Sequence, residues 1–156
     1  MINPFSNDID RSEIWEMLVA RDIAAFVAAD WSMVANDFIE TGFMGIDAKR
    51  DPNPDHWVMG FPTLKDYKTE WLKQAAQSQI TSYAEPLEAA IHRATSLTQI
   101  DITGDAAIAH KKFDGSIHLS DGTTENLNWQ TLYYCRKAEG RWKISGFTGY
   151  MAYRFS

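Results

Sequence analysis

Residues 129–151, WQTLYYCRKAEGRWKISGFTGYM, form two runs of aromatic and apolar residues separated by Ala138-Glu139-Gly140. Runs this rich in Trp, Tyr, Phe and Ile, parted by a short glycine-containing connection, predict a hairpin of two long strands. Tyr, Trp, Phe or Cys falls on both faces of each run, so a strand with one wet face does not account for the pattern. Both faces need cover.

The neighbouring sequence supplies it. Upstream, SLTQIDIT (96–103) and AAIAHKKF (106–113) flank a Gly104-Asp105 turn, and Ser120-Asp121-Gly122 marks a further connection, giving about four long antiparallel strands. Before them the periodicity is helical. Asn7 or Asp8 caps a first helix running to about residue 20, and Arg21-Asp22 marks a break before IAAFVAADW (23–31). Thr63, with Asp66 at the third helical position, caps LKDYKTEWLKQAAQS, whose Leu64, Tyr67, Trp71 and Ala75 share one face. DFIETGFMGID (37–47) reads as a short bent hairpin and KRDPNPDHW (49–57) as a surface loop, while LEAAI (87–91) fits a helical turn or the start of a strand. The fold class is therefore α+β, with three N-terminal helices covering one face of an antiparallel sheet, and the chain reads as one domain over 1–156 with its core at about 8–151. A second copy of the chain, packed sheet to sheet as a homodimer, would cover the other face.

Composition limits the functions. A formal charge of −6, with no Lys/Arg cluster beyond Lys111-Lys112, disfavours nucleic acid as a partner. Cys135 is the single cysteine, so no intrachain disulfide and no thiolate metal cluster can form. His56, His92, His110 and His118 lack metal-ligand spacing, and DPNPD (51–55) lacks the glycine and glutamate of a calcium loop. No metal and no cofactor are expected. Nor is a membrane partner expected, since no apolar run approaches the ~20 residues of a membrane span. The start, MINPFSNDIDRSE, resembles no signal peptide. A cytoplasmic, reducing setting is the expectation.

Register decides which side chains face the helices. A two-residue Gly104-Asp105 loop pairs Ile102 with Ala107 and Ile100 with Ala109. A three-residue Ala138-Glu139-Gly140 loop pairs Arg136 with Trp142 and Tyr134 with Ile144. The helix-facing set is then Ile100, Ile102, Ala107, Ala109, Phe113, Leu132, Tyr134, Trp142, Ile144, Thr148 and Tyr150. His110, Tyr133, Cys135 and Phe147 fall on the opposite face. The assignment holds for a two-residue Ser120-Asp121-Gly122 loop; a three-residue loop exchanges the faces of the last two strands.

The order of elements, with IDITGDAAIA (100–109) and RWKISGFTGY (141–150), resembles the nuclear transport factor 2-like superfamily, which includes ketosteroid isomerase, scytalone dehydratase and polyketide-cyclase-like proteins. That resemblance spans roughly residues 8–151. It implies a strongly curved sheet wrapped by three helices into a cone with an internal cavity, commonly as a homodimer. It also implies a lining of Trp31, Tyr67, Trp71, Tyr134 and Tyr150, with Thr148 beside them, around a small apolar or aromatic ligand. The general-base aspartate of ketosteroid isomerase lies on a hairpin matching residues 38–47, which implies Glu40 or Asp47 in that role. The isomerase's acidic donor on the penultimate strand has no counterpart here, where Thr131, Leu132 and Tyr133 stand. His110, mid-strand with Tyr133 as a cross-strand neighbour, offers a second acid–base candidate, and Tyr150 a third. Three functions fit: a cofactor-free isomerase, dehydratase or cyclase, a non-catalytic ligand-binding module, or a dimerisation domain.

Overall fold

A computed structural model describes residues 1–154. Its helices form three bodies. The first runs from Ile9 to Ala28: α1 (Ile9–Trp15), a π-helical turn (Glu16–Arg21) and α2 (Asp22–Ala28). Asp8 caps it, its carboxylate accepting from the Arg11 N–H at 3.0 Å. The break expected at Arg21-Asp22 is thus a π turn within a continuous helix. Widening the helix by one residue spares the backbone the unpaired groups that a break would leave. The second body is α3 (Leu64–Ile80), capped by Thr63 as the sequence predicts. LEAAI belongs to the third, α4 (Leu87–Ala94). No helix among the described residues is long and apolar enough to cross a membrane.

Six strands form one mixed sheet: β1 (Met44–Asp47), β2 (Val58–Phe61), β3 (Thr95–Thr103), β4 (Ala106–His118), β5 (Thr124–Ala138) and β6 (Arg141–Met151), in the order β2-β1-β6-β5-β4-β3. All neighbours are antiparallel except β1 and β6. The hairpin expected within 37–47 instead joins β1 to β2 across the 48–57 loop, and Phe38 makes only an isolated bridge to Ile144. Gly146 permits the parallel junction: a Cβ there would lie 2.5 Å from the Met44 carbonyl oxygen.

Two hairpin loops differ in length from the expectation. Leu119 and Thr123 bond across Ser120-Asp121-Gly122, a three-residue loop with Gly122 at φ +88°. Ala138 pairs with Arg141, so Glu139-Gly140 is a two-residue turn with both residues at positive φ. The first difference exchanges the faces of β5, so Tyr133 and Cys135 look inward and Leu132 and Tyr134 outward. Trp142 and Ile144 still face the helices, because the two changes cancel at the start of β6. An irregularity between the Cys135–Ile144 and Tyr134–Gly146 pairs then turns Phe147 inward and Thr148 outward. A second irregularity, around Tyr150 in the left-handed conformation (φ +55°), returns Tyr150 to the inner side. Such bulges bend the sheet around the helices.

The inner face and the helices share one core, in which Ile14, Val19 and Ala109 are fully buried. One flank is solid with rings: Trp31 stacks on Phe38 at 5.1 Å, and Phe38, Phe43, Phe61 and Phe147 gather round Tyr67. The other flank is hollow.

Candidate functional site

The hollow is a cavity of about 450 Å³ between α2, α3, α4 and the inner faces of β4, β5 and β6. Helical spacing in α3 turns Tyr67, Trp71 and Gln74 toward it, and strand alternation does the same for Lys111, Phe113, Trp129, Thr131 and Tyr133. A cavity of this size, with aromatic rings set among charged, amide and hydroxyl side chains, suits a small ligand.

An ion pair forms part of its wall. Lys111 is 1% exposed; its Nζ donates to the Leu18 carbonyl at 2.5 Å and to Asp22 Oδ2 at 3.0 Å. Leu18 belongs to the π turn, which brings its carbonyl and the Asp22 carboxylate to one ammonium. Asp22 lines the cavity and is 30% exposed; its Oδ1 has no protein donor among the described residues. Lys111 Nζ also lies 5.1 Å from the Phe113 ring centroid. A lysine this deep requires its partners, because an unpaired buried charge is costly.

Three phenols share the cavity wall with the pair. Burial raises the Tyr67 and Tyr133 hydroxyls well above the ordinary tyrosine value, and the Asp22 charge adds to the rise in both. Burial likewise pushes Tyr150 up to about 12. All three stay protonated at neutral pH and so act as neutral hydrogen-bond donors. The Cys135 thiol, also pushed up to about 12 by burial, is no nucleophile.

The structure brings Tyr67, Trp71 and Tyr150 to the cavity. Trp31 stands one layer behind, its ring edge-on to Trp71 at 5.2 Å. Tyr134 and Thr148 do not reach it: the three-residue loop at 120–122 and the bulge in β6 put them outside, where their hydroxyls bond at 2.7 Å. His110 is also outside. It pairs with Leu132, while Tyr133 pairs with Ala109, so the expected His–Tyr pair does not form. Instead His110 Nε2 meets Gln130 Oε1 at 2.6 Å, and the Gln130 amide donates to the Ala152 and Tyr153 carbonyls. His110 therefore carries its proton on Nε2 and steadies the end of the chain. Glu40 is exposed on the turn before β1, and Asp47 spends Oδ1 on the Lys49 N–H at 2.8 Å; neither lines the cavity.

Sequence reasoning missed Asp22, Lys111 and Thr131, and named Tyr133 only as a partner for His110 on the opposite face. A signal for Lys111 existed, since it occupies the inward position between Ala109 and Phe113, where a charge is out of place in an apolar alternation.

By sequence, no family model and no curated protein matches this chain. By structure it is similar to an NTF2-like superfamily protein from Salmonella enterica serovar Typhimurium, at 13% identity over 97% of this chain and 96% of that one, with a TM-score of 0.60. It is also similar to an NTF2-like protein of unknown function from Pseudomonas putida (17% identity, 92% and 87% covered, TM-score 0.57). A third likeness is to an NTF2-like protein with a cystatin-like fold from Novosphingobium aromaticivorans (14%, 90% and 80%, 0.55). The chain therefore has the NTF2-like fold, in which three helical bodies pack on a curved sheet. At such identities the likeness carries architecture, and function must be argued from the residues.

Proposed function

We propose that this chain, as one folded unit, binds a small and largely apolar molecule in the cone and carries out cofactor-free acid–base chemistry on it, of the isomerase, dehydratase or cyclase type. The supporting observation is the Asp22–Lys111 pair set into a wall of aromatic rings. An apolar pair in place of both residues would often be at least as stable, so stability alone is a weak reason for an ion pair in this wall. Lys111 holds Asp22 in place; Asp22 Oδ1 is free to take a proton from the ligand, and the protonated phenols can donate to the oxygen where negative charge develops.

The test is melting temperature against a panel of steroid, terpene and aromatic alcohols, ketones and carboxylic acids, followed by deuterium incorporation into the bound ketones in D2O. Binders should raise the midpoint, and Trp71→Ala should abolish the shift. Asp22→Asn should keep the shift and stop the exchange. Stabilisation without exchange in the unaltered chain favours a binding module instead, and no shift across the panel overturns the reading.

The outer sheet face carries Ile108, 46% exposed, beside Leu132 and Tyr134. We propose that two copies pair there. Sedimentation should give a dimer that Ile108→Asp converts to monomer; a monomeric unaltered chain at micromolar concentration would refute it.

A further inference from the structure

We infer that the ligand is an organic acid with an aromatic or alicyclic body, its anionic group held by Arg50 at the rim and its far end reaching Lys111. This rests on the binding reading above and narrows it. The chain carries a formal charge of −6, yet the charged groups along the cavity are three basic, Arg50, Lys73 and Lys111, against two acidic, Asp22 and Glu125. Lys111 is neutralised by Asp22. None of the ion pairs among the described residues involves Arg50 or Lys73.

Arg50 is also placed with unusual care. Lys49 and Arg50 are both left-handed, at φ +53° and +58°, as is Tyr150 at +55°. Residues without a glycine's freedom adopt this conformation at a cost, and such outliers concentrate at ligand sites. Backbone bonds hold them there: Arg50 N–H donates to the Tyr150 carbonyl at 2.7 Å, and Ala48 N–H to the Gly149 carbonyl at 2.9 Å. The result sets the guanidinium 4.8 Å from the Trp129 ring centroid. Trp129 in turn lies 4.7 Å from Phe113, whose other neighbour is the Lys111 ammonium at 5.1 Å. A strip of two aromatic rings thus runs between two cations, one paired and deep, the other exposed and without a carboxylate. A flat apolar body laid along the strip would put an acid group on the Arg50 fork, which suits carboxylates and sulfonates.

Two fluorescent probes with one skeleton test this: 8-anilinonaphthalene-1-sulfonate, an anion, and N-phenyl-1-naphthylamine, its neutral counterpart. The full chain should bind the sulfonate about tenfold more tightly, as expected for a charge-assisted contact. Arg50→Gln should bring the sulfonate to the level of the neutral probe and leave the latter unchanged. Trp71→Ala should weaken both. Equal binding of the two probes, or an Arg50→Gln loss common to both, overturns the role of Arg50 while the cavity reading stands. Failure of both probes to bind removes the cavity reading itself.

Discussion

Arg21 and Asp22 are adjacent in sequence and belong to two different buried ion clusters. Arg21 reaches Asp37 with two bonds of 2.8 Å, and Arg141 adds a further bond to the same carboxylate while donating to the Asn36 carbonyl at 2.7 Å. Asp37 is 2% exposed, touches two guanidinium groups and lines no cavity. Asp22 has one lysine, an oxygen with no protein donor, and open volume beside it. Both are carboxylates close to cations. Saturation separates them: a carboxylate bonded to guanidinium groups at both oxygens fastens elements together, whereas one with an oxygen left over at a void can meet another molecule.

Substitution should widen that contrast. The largest effect is expected for Asp37→Ala, which leaves two guanidinium groups facing each other and should cost about 3 kcal/mol in urea unfolding, toward the low end for a broken buried pair because both arginines are about a third exposed. Asp22→Ala also strands a buried cation and should destabilise, so the clusters are told apart by exchange: Asp37→Ala should retain deuterium exchange in the fraction that stays folded, and its loss there would erase the distinction. Next comes Lys111→Met, which leaves the Leu18 carbonyl and the Asp22 carboxylate without their cation. It should cost about 2 kcal/mol, less than Asp37→Ala because Asp22 keeps some access to water, while abolishing deuterium exchange into bound ketones; retained exchange would move the chemistry elsewhere. A third effect appears in alkali. The raised phenols of Tyr67, Tyr133 and Tyr150 stay protonated in the folded chain while unfolded phenols ionise, so stability is intact below pH 10 and falls as pH rises toward 12. Absorbance titration should show these three of the six tyrosines ionising only as the chain unfolds. The smallest effect concerns Glu85, which Arg93 and the His118 N–H hold down to about 2 from an ordinary 4.5. Its contribution is present above pH 4.5 and lost as pH falls toward 2; Glu85→Gln should flatten that part of the acid curve, and an unchanged curve would show the exposed pair to be inert.

The start of the first helix, α3 and the Gly104-Asp105 hairpin could be read from sequence because local rules govern them, while α4 stayed open between helix and strand. Thr63 caps α3, and a 3.6-residue period turns Tyr67 and Trp71 inward whatever the sheet does. The sheet faces could not be read so far. Ser120-Asp121-Gly122 permits loops of two or three residues, and the choice inverts β5, exchanging Tyr134 for Tyr133. Glu139 at φ +55° is an unusual first residue for a tight turn, so a three-residue loop with glycine in the left-handed position was the better local guess. The bulge that sends Thr148 outward falls at Ser145, beside Gly146, and a glycine within a strand marks either a bulge or a close backbone approach without saying which face follows. Asp22 escaped notice because a π turn, rather than a helix end, carries it to Lys111.

That turn sets the rotational phase of everything after it. A π-helical segment accommodates one residue more than regular winding would, and each residue of an α-helix advances the chain by about 100°. Were all the residues from Glu16 to Arg21 wound regularly instead, Asp22 would be carried about 100° round the helix axis, away from the ammonium. The electrostatics of this interior therefore depend on how the backbone winds as much as on which residues it carries.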